Sequence, residues 1–259
     1  MFKRFYVSIT QPTHINSFLR DKLPYVFLYI LFLSTFASLP NIIKAAVKNN
    51  FDMPIIKNIE NTLFLSETNK EIINYELNNE NEEAFFSNGG LYVISFNKSV
   101  NRFNITFNFT KNTLELYFGP VLYQVYSYEE LNLENLNFNM KSNQDKDTLA
   151  LLLAKLYQDI KPLLLPSIIL AAVLSEMSLY LILVLISVWS YSFFRPKLKV
   201  RYRFILASYG FSIYLISSLI AELYDFNLFR LIGIIIAFTF VRKAYAEIIN
   251  LRGKQSEQV

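Results

Sequence analysis

The feature that most limits what this chain can fold into is its set of long, nearly uncharged apolar runs. Residues 25–46 read YVFLYILFLSTFASLPNIIKAA, and at about 1.5 Å per residue such a helix crosses a hydrocarbon core of about 30 Å. Residues 163–194, 204–221 and 228–248 repeat the pattern. The second run, at about 48 Å as a straight helix, exceeds the hydrocarbon thickness yet is too short for two spans, which need about 40 residues. It reads as one long span, bent near Pro166 and ending in an aromatic interface of Trp189, Tyr191, Phe193 and Phe194.

The expected fold class is therefore a membrane α-helical protein of about four transmembrane helices, placed at 24–46, 162–194, 204–221 and 228–248. The composition agrees, with 53% of the 259 residues hydrophobic and only 18% charged. These charges are dense between Lys44 and Lys161 and sparse from Leu163 to Phe194. One chain thus carries sequence suited to two solvents.

Segment 47–161 is polar and rich in Asn, large enough for an α+β domain inserted between the first two spans. Strand-like runs at 91–96, 103–109, 113–118 and 121–126 are separated by turn signals at 97–102, Lys111-Asn112 and Gly119-Pro120. Strict alternation over 103–109 predicts a half-buried strand in a small antiparallel sheet. From Asp145 to Ile160 the spacing of Leu149, Leu152, Leu153 and Leu156 predicts a helix, packed on the sheet or leading into the next span.

Orientation follows from the basic residues. Arg195, Lys197, Lys199, Arg201 and Arg203 crowd an acid-free loop at 195–203, the strongest positive-inside signal present. Lys3, Arg4, Arg20 and Lys22 precede the first span within an amphipathic segment, 1–23, whose Phe2, Phe5, Tyr6 and Ile9 suit an interfacial helix. Arg242, Lys243, Arg252 and Lys254 close the fourth span and the tail at 249–259, whereas the turn at 222–227 has no Lys or Arg. Both termini are expected to be cytoplasmic and 47–161 outside. A cleaved signal peptide ending at Thr35-Phe36-Ala37 is the rival for the first span, but apolar character continues through Leu39, Ile42 and Ile43, which suits a retained anchor.

Several function classes lose support. A net charge of +4 reflects membrane-orienting Lys and Arg rather than a nucleic-acid surface. Cysteine is absent and His14 is the sole histidine, so disulfides, thiolate sites and a multi-His metal centre within one chain are ruled out. His14 reads as interfacial. The run Glu76, Glu80, Glu82, Glu83 lacks the alternation of a calcium loop and reads as a solvated face. Of the sequons at Asn97, Asn104 and Asn108, two lie on a predicted strand in a chain where Asn is common, and in a bacterium they would mean little. No P-loop, dinucleotide turn, nucleophile elbow or zinc motif occurs, and no cofactor is expected.

Two residues stand out. Glu176, inside the second span, is expensive there unless it faces protein or water. It either lines a polar path or makes a structural hydrogen bond to Ser or Tyr of another span. Arg230, at the start of the fourth, either snorkels outward or pairs with Glu222 or Asp225. A buried Glu176–Arg230 pair is a further option that sequence does not place.

The layout of basic N-terminal segment with Pro12, first span ending in Ser38-Leu39-Pro40, exported domain and three closing spans resembles the bacterial membrane family named domain of unknown function 1189. Some of its members are labelled maltodextrin-utilization proteins. Phe86-Ser87-Asn88-Gly89-Gly90-Leu91 looks like that family's Asn/Asp-Gly-x-Leu turn entering a strand, and Arg201-Tyr202-Arg203-Phe204 like its lead into the third span. The resemblance implies no catalytic residues. A distant likeness of the closing spans to the Yip family of membrane-trafficking proteins implies a scaffold or partner-binding bundle.

The expectation is thus a non-enzymatic accessory or scaffold protein of a bacterial cytoplasmic membrane. Its partners would be the lipid bilayer and either another membrane protein or further copies of itself, with no nucleic acid, and a link to sugar uptake is implied by the family label alone. A transporter or channel component using Glu176 and a membrane sensor with a ligand-binding outer domain are the alternatives.

Overall fold

The computed structural model describes residues 1–78, 84–86, 92–97, 105–193 and 198–256. The chain forms two compact units, one of Met1–Val47 with Leu163–Val259 and one of Lys48–Pro162. The first is helical. It holds α1 (Phe2–Thr10), a 3-10 turn (Pro12–Phe18), α2 (Leu23–Val47), the later part of α4 (Asn143–Ser190), α5 (Val200–Gly210), α6 (Ser212–Tyr224) and α7 (Leu228–Ser256).

Three helical runs are long and apolar enough to cross a membrane: Leu23–Val47, Asn143–Ser190 and Val200–Tyr224. The third begins four residues before the expected start at Phe204 and is interrupted once, at Phe211, where φ −81° and ψ 0° leave the α region. The expected fourth, in α7, is not among the three. Arg230 stands in its first turn and Arg242 and Lys243 follow Val241, so the charge-free stretch runs only from Leu231 to Val241. In α4 the helix continues through Pro162 and Pro166, although each lacks the N–H that would satisfy a carbonyl four residues earlier.

The core of this unit draws on α2, α4, α5, α6 and α7, with α5 buried at every position from Ile205 to Gly210. Val26, Tyr29, Ile30 and Leu33 of α2 bury against Tyr180, Val184, Leu206, Tyr209 and Val241. Three buried polar side chains inside it, Tyr29, Ser212 and Tyr180, are joined to backbone or to each other. Tyr29 Oη and Ser212 Oγ lie 2.7 Å apart, Ser212 Oγ donates to the Tyr209 carbonyl at 2.7 Å, and Tyr180 Oη donates to the Ser208 carbonyl. α7 approaches α5 and α6 through glycine. A methyl on Gly233 would fall 2.4 Å from Ser217 Cβ, and one on Gly210 would fall 2.5 Å from Val241 Cγ2.

The second unit contains α3 (Met53–Leu65), the start of α4 and two sheets. Strands β1 (Glu71–Ile73), β2 (Glu76–Leu77) and β8 (Asn135–Asn137) form an antiparallel sheet in the order β2-β1-β8. Asn74 and Tyr75, with φ of 50° and 66°, make the two-residue turn between β1 and β2, the left-handed pair that matches strand twist in a tight hairpin. The larger sheet runs β3 (Ala84–Phe86), β4 (Tyr92–Phe96), β5 (Ile105–Phe109), β6 (Thr113–Phe118), β7 (Val121–Ser127) in spatial order. Gly119, at φ 58° before Pro120, turns β6 into β7.

Two expectations for this sheet are corrected. It is mixed rather than antiparallel, because β4 and β5 pair in parallel, Tyr92 against Ile105 through Phe96 against Phe109. Alternation specifies which face a side chain takes and not the direction of the neighbouring strand. β5 is also buried at all its positions rather than on one face. Phe107 and Phe109 pack on Phe51 and Phe138. On the opposite face the polar residues form a chain across three strands: Ser95 Oγ donates to Asn108 Oδ1 at 2.9 Å, Asn108 Nδ2 to Glu115 Oε2 at 2.9 Å, and Tyr117 Oη to the same oxygen at 2.8 Å. Hydrogen bonding within the sheet is what lets Asn108 sit inside.

The helix predicted over 145–160 is the start of α4. Leu149, Leu152, Leu153, Leu156, Tyr157 and Ile160 form its buried face. Of the other sequence features, Glu80, Glu82, Glu83, Asn104 and the Ser87-Asn88-Gly89-Gly90-Leu91 turn lie outside the described residues, as do Lys98 and Ser99 of the first sequon.

Candidate functional site: one arginine shared by two glutamates

Glu176 and Arg230 meet. Arg230 Nη2 donates to Glu176 Oε1 at 2.9 Å, and the same nitrogen reaches Glu222 Oε1. Ser218 Oγ donates to the second Glu176 oxygen at 3.0 Å and lies 3.2 Å from Arg230 Nε, from which it accepts. Arg230 Nη1 adds a longer contact of 3.4 Å to Asn227 Oδ1. The cluster joins α4, α6 and α7.

Local structure puts these groups together. Ser218 and Glu222 are four residues apart on α6 and so share a face. Asp225, at φ 53°, ends α6 in the left-handed conformation, and the Phe226 N–H closes on the Ala221 carbonyl at 2.9 Å. That turn delivers Arg230 to the first turn of α7, within reach of the last turn of α6. A cation is disfavoured at a helix N-terminus, where the peptide dipoles present their positive end. The two carboxylates compensate.

Glu176 is 4% exposed, with both of its oxygens engaged. Arg230 and Glu222 keep side-chain exposures of 25% and 16%. Arg230 thus turns toward protein carboxylates rather than outward alone, and it takes Glu222 together with Glu176 and not Asp225. In a poorly polarisable interior such a pair is worth holding only when its remaining hydrogen-bonding capacity is met, as Ser218 meets it here. The arrangement ties helices together; no oxygen of Glu176 is left without a partner for a passing solute.

A second charged group surrounds Asp21. Arg4 grips its carboxylate with both Nε and Nη2, at 2.7 and 2.9 Å, and Tyr209 Oη donates to it at 2.6 Å. The Arg4 hydrogen bond holds the Asp21 carboxyl below the usual carboxylate range, against the opposing pull of burial. The Arg4 guanidinium also lies 4.7 Å from the Tyr25 ring centre and 5.5 Å from that of Phe18.

The basic residues of the loop divide. Arg201 Nη2 donates to the Asp21 carbonyl at 3.2 Å and Arg203 Nη1 to the Val188 carbonyl at 2.8 Å. Lys199 is exposed at the cap of α5, and Arg195 and Lys197 lie outside the described residues. His14 is exposed, with the Thr13 hydroxyl 3.3 Å from its Nδ1. Among the described residues no group of three His, Asp or Glu side chains could hold a metal ion.

The sequence singles out Glu176, Arg230 and Glu222, but not Ser218 or Asn227, which complete their cluster, nor the separate grouping of Asp21 with Arg4 and Tyr209. A serine or tyrosine in an apolar run is a weak signal, since either can bond to its own helix. Comparison of the chain with protein-family models, with curated proteins and with solved structures finds no match.

Proposed function

We propose that this chain is an accessory or scaffold protein of a bacterial cytoplasmic membrane, crossing it four times with both termini inside and 48–162 outside. The observation that carries the reading is the Glu176–Arg230–Glu222 cluster. The costliest residue of the apolar helices is used up in joining three of them, which suits a bundle that holds its shape and presents surfaces. α7 supplies the fourth span, with Arg242 and Lys243 at its inner end. Lys199 at the cap of α5 and Arg201 and Arg203 in its first turn follow the positive-inside pattern, and the layout resembles that of the bacterial family named above.

The outer domain and the bundle would then engage another membrane protein or further copies of the chain. This is tested by crosslinking in intact cells, followed by affinity purification of the tagged chain in mild detergent and mass spectrometry. A partner or homo-oligomer in fixed stoichiometry supports the reading. A monomer free of partners, or catalytic turnover by the purified chain alone, contradicts it. A transport role for Glu176 predicts instead that Glu176→Gln abolishes solute flux in vesicles while leaving assembly intact.

A further inference from the structure

Two cavities of the helical unit share a single stripe of α2. One, of about 350 Å³, is lined by Arg4, Arg20, Asp21, Lys22, Pro24 and Tyr25. The other, of about 130 Å³ and apolar, lies among Phe2, Phe5, Phe32, Phe36, Leu215 and Leu219. Tyr25 borders the first, and Phe32 and Phe36 border the second. Spacings of seven and then four residues keep all three on one face of a helix.

We infer that this stripe binds one anionic phospholipid, with its phosphate between Arg20 and Lys22 and an acyl chain against Phe32 and Phe36. The inference rests on the membrane reading above. Charge favours it first. Arg4 is neutralised by its two bonds to Asp21, whereas Arg20 and Lys22 are exposed and have no ion-pair partner among the described residues. The pocket therefore presents two uncompensated cations. Basic pockets beside membrane helices are suited to anionic headgroups.

Depth favours it next. Seven residues of helix put Phe32 about 10 Å beyond Tyr25. The headgroup layer on each side of a bilayer is about 5–8 Å thick, so an acyl chain has begun at that depth. Leu28, 50% exposed, and Phe36, also 50% exposed, continue the apolar surface along the same side. Phe2 meets Phe32 edge to face, with ring centres 5.9 Å apart, so α1 forms one wall of the acyl groove while its Arg4 borders the headgroup pocket. A free phosphate would use only the upper cavity, and a neutral lipid only the lower.

The test uses the full chain purified in dodecyl maltoside, with Tm followed during titration by dioleoylphosphatidylglycerol, dioleoylphosphatidylcholine and inorganic phosphate. At about 1 kcal/mol for each basic residue near an anionic headgroup, two residues should separate the half-saturating concentrations of the two lipids about thirty-fold. Arg20→Gln with Lys22→Gln should remove that separation, and Phe36→Ala should weaken both lipids. Equal midpoints for the two lipids in the unaltered chain overturn the inference without recourse to a variant. So does a Tm rise with phosphate alone, or an unchanged midpoint in the double variant. Carbonate washing of native membranes distinguishes the failures: release of the chain contradicts the membrane reading, and a retained chain with equal midpoints contradicts the lipid site alone.

Discussion

Arg230 Nη2 stands 2.9 Å from Glu176 Oε1 although 53 residues separate the two along the chain between them. The pair is short, shielded and completed by Ser218. Removing only the cation leaves Glu176 and Glu222 facing each other without compensation. Arg230→Met should therefore cost about 3–5 kcal/mol, read as a fall in Tm in detergent. Glu176→Gln keeps a hydrogen-bonding side chain beside Ser218 and leaves Arg230 with Glu222, so its Tm should fall much less. Equal losses for both would mean that the charges are not coupled.

The contact of α7 with α5 and α6 depends on missing side chains. An alanine at 233 would bring its methyl 2.4 Å from Ser217 Cβ and 3.4 Å from Tyr214 Cα, atoms fixed to the opposing helix. Gly233→Ala should cost about 1–3 kcal/mol through overpacking. At Gly210 the nearest obstacle is a methyl of Val241, at 2.5 Å. Val241→Ala should accordingly recover part of the Tm lost in Gly210→Ala, and a pair of strictly additive losses would contradict the contact.

Asp21 gives a pH dependence of defined sign. Its carboxyl is held below the ordinary value of 3.8 in the folded chain, chiefly by Arg4. Folding therefore favours the ionised form, and the stabilisation is complete above about pH 4 and lost as the pH falls through the folded value. Tm measured against pH for the unaltered chain and for Asp21→Asn should differ at neutral pH and converge in acid. A difference that grows in acid would reverse the assignment.

In the other unit, Asn108 links Ser95 to Glu115 at 3% exposure. Asn108→Ala strands the buried Ser95 hydroxyl and removes one donor from half-buried Glu115, and should destabilise this unit by about 1–3 kcal/mol. Hydrogen exchange of the full chain would show it as faster exchange in β4, β5 and β6, with the helical unit unaffected. Uniform acceleration throughout the chain would contradict that localisation.

Much of this architecture was legible because its signals are local. The run at 25–46 is α2 within a few residues, and Leu149, Leu152, Leu153 and Leu156 mark the buried face of α4 through a helical period alone. What escaped depends on contacts distant in sequence. Asn108 and Thr106 alternate with Phe107 and Phe109 as though facing solvent, yet both are buried, and Asn108 bonds across two neighbouring strands. The parallel pairing of β4 with β5 leaves no trace in either strand's alternation. Glu176 and Arg230 were each conspicuous as charges in apolar surroundings, but only the fold brings them together, and only the turn at Asp225 explains why Glu222 joins them. Arg4 and Asp21 gave no sign of pairing, being separated by an irregular segment with no period to relate them.

A chain that crosses a membrane with 48–162 on the outside exposes that segment, but neither the N-terminal segment nor the start of α5, to reagents added to intact cells. With no native cysteine, single cysteines report on this cleanly. Asn61→Cys lies at an exposed position of α3, Ser17→Cys in the N-terminal segment, and Val200→Cys at the start of α5. Labelling of intact cells with a membrane-impermeant maleimide should modify Asn61→Cys alone, the other two reacting only after permeabilisation. Protection of Asn61→Cys with labelling of Ser17→Cys, or recovery of the chain in the soluble fraction, would contradict it.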